Sequence, residues 1–496
     1  MQIHKAARYF PVSAAPSPPT YKYQRRRPQD SALYQVIQEN LNTFLNHLEI
    51  SEKAVPRYVS KEFYEYLDCG ILARGFLRVA CTKCRDEKLV AFSCRGRGFC
   101  PACMGRRMNE TSVFLVDHVL PKLPIRQWVL SFPFPIRYIL AKNPNHITRV
   151  LKITLRVVDG FYKNQAKANG IKGKTKCGAV TAIQRFGGSA NLNVHFHALM
   201  PDGVFATDNE GTEKFQRLSG PNNSDVKDLV RKLAHRIIKY FQRRGLLDSE
   251  SDDIQEVQTE LTDELAAASI ASKIALGPRA GERVRKFGKL IDIQYEPKLT
   301  GERCASHMSF SLHANTLCEP NERLKLERLC RYINRPPIAQ DSVTKTPTGQ
   351  ILYKMKSAYR DGTTHLLFDP LEFIEKLASL VPPPRMHIIR YHGVFAPNSK
   401  ARPKIVLKNK TPNDALDKTE PKPPASARAI SWGRLMKRVF QIDVTTCGKC
   451  NGDTKIIAAI LEKKVIEKIL THLGLEASAP DLHPARAPPQ TSFEFH

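Results

Sequence analysis

Two histidines on one predicted strand are the first residues whose types and spacing indicate chemistry. In NLNVHFHALMPDGVF (191–205), apolar residues at 192, 194, 196, 198 and 200 alternate with a second set that contains His195 and His197. This alternation is typical of a strand with one buried face, and residues two apart project from the same face. Both imidazoles could therefore reach one metal ion. The alternative is a pair of solvent-facing histidines on an ordinary amphipathic strand.

A glutamine before this strand is the candidate third ligand. Gln184 comes eleven residues before His195, and GGSA (187–190) between them is typical of a turn. In a hairpin folded about that turn, Gln184 lies roughly opposite His195 on the same polar face, where its carbonyl oxygen could bind the metal. Three protein ligands leave coordination positions open, as a catalytic metal requires.

A tyrosine on a basic helix face is the candidate nucleophile. In NERLKLERLCRYINRPPIA, the residues Leu326, Leu329, Cys330 and Ile333 form one apolar stripe of a helix that the two following prolines terminate. A different stripe contains Lys325, Arg328, Tyr332 and Arg335. A tyrosine among cations is placed to meet a phosphate with its hydroxyl as nucleophile, although a surface tyrosine packed on arginine is the alternative.

Paired cysteines predict a structural zinc ion. Two Cys-x-x-Cys pairs, Cys81/Cys84 and Cys100/Cys103, are separated by fifteen residues. Each pair can provide half of a tetrahedral site, so we expect all four to bind one Zn²⁺. Cys94 lies between the pairs and could replace one ligand. Four buried structural thiols are the alternative.

Basic residues and a third cysteine pair accompany this segment. The arginines among the cysteines suit phosphate contacts, with a solvated basic face as the alternative; they are Arg95, Arg97, Arg106 and Arg107. The third pair, Cys447/Cys450, has no further pair after it. It could be half a zinc site, a knuckle completed by another segment, or two ordinary thiols.

The elements that position these residues belong to a long and strongly basic chain. The 496 residues carry a formal net charge of +29, and 42% of them are hydrophobic. This size predicts about two to four domains with a real core, and the charge favours a polyanion, most obviously nucleic acid. No segment approaches a membrane span or a signal peptide, so we expect a cytosolic protein whose cysteines are thiols and metal ligands.

Seven segments in order resemble the transposases of rolling-circle insertion sequences, which belong to the His-hydrophobic-His endonucleases and carry an N-terminal zinc-binding domain. The segments are CGILARGF, FSCRGRGFCPACMGRRM, RQWVLSFPFP, QRFGGSANLNVHFHALMPDGVF, LERLCRYINRPPIA, LVPPPRMHIIRYHGVFAPNSKAR and CGKCNGDTKIIAAI. His195 and His197 match the family's histidine motif, and Tyr332 matches its nucleophile in Arg-Tyr-x-x-Arg-Pro-Pro. Some members have a second tyrosine four residues earlier, where this chain has Arg328, so it resembles the single-tyrosine, common-region branch.

The resemblance implies an α+β fold with a central antiparallel sheet flanked by helices. We expect a basic, disordered arm at 1–30, a zinc-binding and DNA-binding domain at 31–120, and a catalytic domain at 121–400 with a helical insertion at about 224–280. A linker at 401–429 and a small Cys-x-x-Cys helical module at 430–496 complete the predicted order.

The implied reaction is nicking and transfer of single-stranded DNA through a 5′-phosphotyrosine. Mg²⁺ or Mn²⁺ at the histidines would activate the phosphate, and Arg328 and Arg335 could steady its charge. The expected partner is the single-stranded ends of the chain's own mobile element near the bacterial nucleoid. The sequence has no ATP-binding loop, so unwinding would come from a host helicase.

Two other classes of function remain open. A tyrosine site-specific recombinase also uses a tyrosine and basic residues, but it needs no metal and would be largely helical. A non-catalytic zinc-dependent DNA-binding protein would explain the charge and the cysteines, but not Tyr332 or the two histidines. Cleavage that survives a chelator would favour the first, and DNA binding without cleavage would favour the second.

Overall fold

The computed structural model of the chain describes residues 25–207, 212–247, 260–288, 301–358, 361–406 and 447–486. The α-helices of these residues are α1 (Ala32–Ile50), α2 (Arg57–Asp68), α3 (Pro101–His118), α4 (Phe134–Lys142), α5 (Pro144–Ala168), α6 (Asn223–Gln242), α7 (Leu261–Ile270), α8 (Arg323–Ile333), α9 (Pro370–Leu380), α10 (Arg402–Ile405) and α11 (Lys463–His472).

The strands fall along the whole described chain, between these helices. They are β1 (Phe76–Cys81), β2 (Glu87–Ala91), β3 (Ile125–Ser131), β4 (Thr175–Lys176), β5 (Gly178–Phe186), β6 (Leu192–Pro201), β7 (Gly203–Thr207), β8 (Glu213–Arg217), β9 (Arg285–Gly288), β10 (Cys304–His307), β11 (Phe310–His313), β12 (Leu317–Cys318), β13 (Val343–Lys345), β14 (Ile351–Lys354), β15 (Thr363–Phe368), β16 (Ile389–Gly393) and β17 (Thr454–Ile460).

A seven-stranded sheet carries the candidate site. Its order is β10-β11-β3-β6-β5-β16, with β12 pairing beside β3, and all of these pairs are antiparallel. Smaller sheets have the orders β17-β1-β2, β13-β14-β15-β9 and β4-β7-β8. The predicted α+β class with a central antiparallel sheet is confirmed.

Strand β6 lies in the middle of the large sheet, and both of its faces are covered. Its apolar set, with Val194 and Phe196 among its members, packs into a core with residues of β3, α5 and α6. The opposite face, which contains Leu199, belongs to a second core with Val180 of β5 and Leu326 of α8. The period-two pattern correctly predicts the apolar face, but only the packing of helices on the other side buries the histidine face.

The described residues group into two compact units. One contains residues 72–92 and 447–477, and the other contains the large sheet and its helices. The predicted helical insertion contains α6 and α7. The predicted arm at 1–30 lies almost wholly outside the described residues, as does most of the linker; WGRLMKRVF (432–440) of the C-terminal module also falls there. The predicted domain boundaries stay predictions.

Candidate active site and metal centres

The two histidines lie side by side on β6, away from solvent. Their ring centroids are 4.9 Å apart, and His195 and His197 are 9% and 4% exposed. Burial lowers the pKa of His195 to about 4 and that of His197 well below its usual value, and the charge of Arg335 acts in the same direction on both. Both imidazoles are therefore neutral at pH 7, which is the form that binds metals. The solvent-facing alternative is excluded.

Hydrogen bonds orient both rings. Nδ1 of His195 lies 2.8 Å from the carbonyl oxygen of Asn193, which can only accept, so Nδ1 carries the proton and Nε2 keeps its lone pair. Nδ1 of His197 lies 2.8 Å from the side-chain amide of Gln127 on β3. The Gln127 atom in this contact is Nε2, a donor, so Nδ1 of His197 accepts; with the amide turned by 180°, its oxygen would accept from Nδ1 and His197 would have the tautomer of His195. Nε2 of His197 is buried with no hydrogen-bond partner, and such an atom suits a metal ion.

Gln184 lies where the hairpin register predicts, but its amide is engaged elsewhere. Gln184 is paired with His195 across β5 and β6. Its Nε2 donates to the carbonyl oxygens of Ile333 and Tyr332, at 2.8 and 3.2 Å, and its Oε1 accepts from Arg335 at 3.3 Å. The side chain thus ties the end of α8 to the sheet. Binding of a metal by Gln184 would require Arg335 to release that oxygen, so its role as a ligand stays a prediction.

Helix α8 brings the tyrosine to the histidines. The apolar stripe that contains Leu326, Cys330 and Ile333 packs on the sheet, as its spacing predicts. The Tyr332 ring remains 40% exposed, and its centroid lies 6.0 Å from that of His197, edge to face. The phenol and the two neutral imidazoles, which are distant in sequence, therefore lie on the same face of the sheet.

Cations surround the Tyr332 ring. Cζ of Arg335 lies 4.7 Å from the ring centroid and Nζ of Lys356 lies 3.9 Å from it. Burial and the charge of Arg335 lower the pKa of Lys356. Lys325 and Arg328 lie exposed on the same helix, and Lys325 pairs with Glu322 at 2.9 Å.

Sequence reasoning missed several residues around this site. Lys356 comes just after β14 in a run of basic residues that gives no periodic signal, and Gln127 sits on β3 among residues that alternate with the core. Arg137 of α4 was also missed, and its charge lowers the pKa of His195. The alternation in RQWVLS could have indicated Gln127, because it places that side chain opposite the apolar face.

Three other tyrosines follow Tyr332 in basic stretches of the sequence and are alternative nucleophiles. Tyr353 is only 4% exposed, and burial raises the pKa of Tyr391, which packs against Arg402. Tyr359 lies outside the described residues. Of the described candidates, Tyr332 is the one whose ring packs edge to face against a histidine of the pair.

Four cysteines at the start of α3 form a tetrad. Their sulfurs all lie within 4.8 Å of one another, and they are Cys69, Cys94, Cys100 and Cys103. Three of the separations are 3.3, 3.6 and 3.7 Å. A regular zinc tetrahedron with Zn–S bonds of about 2.3 Å has sulfurs about 3.8 Å apart, so the tetrad fits a structural Zn²⁺.

The predicted ligand set of this zinc ion is wrong in part. Cys81 and Cys84 do not join Cys100 and Cys103, because β1 and β2 form a hairpin with the first pair at its turn. The sulfurs of that pair lie instead beside those of the third pair, Cys447/Cys450. The alternative ligand Cys94 is in the tetrad. Cys69 was missed because it stands alone after α2, with no spacing that marks it.

Two family models match the chain, and each covers one part of this arrangement. A model described as "Transposase zinc-binding domain" matches residues 36–132, and one described as "Putative transposase" matches residues 178–402. Both are domains of transposases, and together they match a transposase of a rolling-circle insertion sequence. No curated protein and no solved structure matches it. Among the described residues of the transposase, no helix is long and apolar enough to cross a membrane.

The matched regions contain most of the candidate residues of the transposase. The catalytic match includes the histidine pair, Gln184, Tyr332 and Lys356, and the zinc-binding match includes the whole Cys69 tetrad. Cys447 and Cys450 lie outside both. The resemblance found in the sequence is therefore confirmed.

The arginines of the zinc-binding domain have different surroundings in the transposase. Arg97 donates to the carbonyl of Met386 at 3.0 Å and Arg107 donates to the carbonyl of Arg95 at 3.2 Å. Arg106 pairs with Glu110 at 2.7 Å, and Arg95 is exposed. Their predicted contacts with phosphate stay predictions.

Proposed function

We propose that the transposase nicks and transfers single-stranded DNA by attack of Tyr332 on a phosphodiester beside the histidine pair. The observation that carries this proposal is the distance of 6.0 Å between the rings of Tyr332 and His197, on the exposed side of α8. At this separation, the nucleophile and a metal ion bound by the histidine pair can contact the same phosphate.

The covalent step follows from the chemistry of the phenol. The Tyr332 oxygen forms a bond to phosphorus, the bond from phosphorus to the 3′-oxygen breaks, and that oxygen takes up a proton as a 3′-hydroxyl. The phenolic proton leaves to solvent. The enzyme is then joined to the 5′-phosphate, and attack by a 3′-hydroxyl on this phosphotyrosine reverses the step. No nucleotide hydrolysis is needed, because the phosphotyrosine bond keeps the energy of the broken phosphodiester.

The histidine pair would hold the divalent ion, Mg²⁺ or Mn²⁺. Both rings are neutral at pH 7, Nε2 of His195 has a lone pair, and Nε2 of His197 has no protein partner. When bound there, such an ion supplies Lewis-acid activation of a phosphate oxygen. The third protein ligand would be Gln184, once its oxygen is released by Arg335.

The cations around Tyr332 support the same reaction. Arg335 and Lys356 lie against the ring, where their positive charge would attract the phosphate that the Tyr332 oxygen attacks. Arg328, one turn before Tyr332 and exposed, would contact the phosphate or the adjoining backbone. Arg328 stands where some members of the family have a second tyrosine, so the proposed reaction uses Tyr332 as its single nucleophile.

The proposed substrate is single-stranded DNA from the ends of the element that encodes the chain. A net charge of +29 supports a polyanionic partner. Strand opening would be left to a host helicase, because the sequence contains no ATP-binding loop.

The decisive experiment traps the covalent intermediate. Purified transposase is incubated with labelled single-stranded DNA from its element ends, with Mn²⁺, Mg²⁺ or EDTA, and the adduct is separated on a denaturing gel. We expect adduct with either metal, none with EDTA, and none from Tyr332→Phe. Tyr391→Phe is the matched control and keeps wild-type yield. His195→Ala and His197→Ala should also lose the adduct but keep DNA affinity, since many lysines and arginines carry that affinity.

Several outcomes would contradict the proposal. An adduct that survives EDTA would favour a metal-independent tyrosine recombinase. DNA binding without any adduct would favour a non-catalytic zinc-dependent protein. A nucleotide found by mass spectrometry on the peptide that contains Tyr353, Tyr359 or Tyr391 would identify that tyrosine as the nucleophile in place of Tyr332.

A further inference from the structure

We propose that Cys81, Cys84, Cys447 and Cys450 bind a second structural zinc ion. This ion would join two segments that are far apart in sequence into one discontinuous zinc ribbon. Contacts between the two pairs connect residues 363 and 369 positions apart in sequence. This inference does not depend on the nucleophile or on the histidine pair.

The positions of the four sulfurs fit one tetrahedral ion. Sγ of Cys81 lies 3.5 Å from Sγ of Cys450, and Sγ of Cys84 lies 3.5 Å from Sγ of Cys447. All four lie within 4.8 Å of one another. The expected sulfur separation around zinc is about 3.8 Å, so one Zn²⁺ can contact all of them.

The two cysteine pairs have the same backbone conformation. In each pair, the amide of the residue before the second cysteine donates to the first sulfur, from Lys83 to Cys81 and from Lys449 to Cys447, both at 3.4 Å. The residue after each pair, Arg85 or Asn451, has a positive φ of 60° or 55°. Amides that point at sulfur stabilise thiolate, and two matching turns face to face suit a metal better than two unrelated thiol pairs.

Backbone pairing aligns the two turns. Strand β17 pairs antiparallel with β1, with Thr454 opposite Cys81. The amide of Thr82 donates to the carbonyl of Asp453 at 2.8 Å, and Lys449 pairs with Asp86 at 2.6 Å. The C-terminal segment therefore supplies the third strand of the β1–β2 hairpin and the second half of the cysteine set.

The small core of this unit supports a stabilising role for the ion. Among its described residues, the cluster of buried apolar side chains consists of Leu72, Phe76, Ile466 and Leu470. Modules with a small apolar core commonly rely on a metal ion or on disulfides for their stability. The consequence is that residues 72–92 reach their stable form only in a chain that extends through the C-terminal pair.

The first test counts zinc in the full-length protein. Elemental analysis and native mass spectrometry should give two ions per chain in the wild type, and one in Cys447→Ser/Cys450→Ser and in Cys100→Ser. Cys304→Ser, outside both clusters, is the matched control and should keep two. A wild type with one ion, or a double variant that keeps two, would overturn the proposal.

The second test uses the wild type and so does not depend on how a variant folds. With zinc bound, Cys447 and Cys450 should resist alkylation at least tenfold better than after treatment with a chelator, whereas Cys304 should change less than twofold. Alkylation of the four cysteines at one rate with and without chelator would contradict the proposal. A mass lower by about 2 Da per pair, without zinc, would identify a disulfide-forming redox pair instead.

Discussion

The role of Gln184 can be separated from that of a metal ligand by one substitution. In Gln184→Leu, the helix end loses two donated hydrogen bonds, to the carbonyls of Ile333 at 2.8 Å and Tyr332 at 3.2 Å. The leucine keeps much of the volume in a site that is 3% exposed. We therefore expect α8 to remain folded on the sheet but to hold Tyr332 less firmly beside His197.

The size of the effect follows from these two bonds. A neutral hydrogen bond contributes about 0.5–1.5 kcal/mol net, so two contribute roughly 1–3 kcal/mol. Because about 1.4 kcal/mol changes a rate tenfold, full loss of positioning would slow adduct formation roughly 5- to 150-fold. The longer bond to Tyr332 is the weaker one, so we expect about a 10- to 30-fold loss.

The assay is the initial rate of adduct formation across a Mn²⁺ titration. If Gln184 positions the helix, the rate at saturating Mn²⁺ falls while the half-saturating concentration stays the same. If Gln184 is a metal ligand, the half-saturating concentration rises. Gln216→Leu, at an exposed glutamine of β8, is the matched control. A rate within twofold of wild type at every Mn²⁺ concentration would refute both roles.

Two further predictions concern the same site. Lys356→Met removes a cation 3.9 Å from the Tyr332 ring, whose interaction is worth about 0.5–2 kcal/mol, so adduct formation should slow roughly 2- to 30-fold. The exposed Lys354→Met is the control, and equal effects of the two variants would show that only general charge matters. In chelator-treated protein, His195 has a pKa of about 4 when folded against an ordinary value of 6.5, so the unfolded chain takes up the proton first. The free energy of unfolding should therefore fall by about 3 kcal/mol as the pH drops from above 6.5 to 4. His195→Gln should abolish this contribution to the pH dependence. Urea unfolding at several pH values measures this, and identical pH profiles of wild type and variant would contradict the buried neutral ring.

Local patterns in the sequence predicted the elements that carry the site. Alternation over 192–200 predicts β6 and its apolar face, and the turn at 187–190 sets the pairing of Gln184 with His195. The helical period likewise separates the buried side of α8 from Tyr332. These features are predictable because each depends on residues a few positions apart, whose backbone geometry fixes which side chains share a face.

The contacts that each side chain of the site makes depend on residues that are distant in sequence. The Gln184 oxygen predicted to face a metal accepts from Arg335 instead, because α8 ends against β5. Gln127 reaches His197 from β3, and Lys356 reaches Tyr332 from the segment after β14, and neither residue is close in sequence to its partner. Such contacts depend on how distant segments pack together, and this packing leaves no periodic pattern in a single sequence.

The sequence by itself determined that seven cysteines could bind metal, that two histidines share a strand face, and that one tyrosine faces away from the helix core. Only the tertiary structure decided which cysteines meet. Cys-x-x-Cys spacing fixes half of a site, because two residues in one turn are close in any fold. The other half comes from whichever segment lies opposite, so Cys100 and Cys103 meet Cys69 and Cys94, whereas the hairpin of Cys81 and Cys84 meets a strand near the other end of the chain.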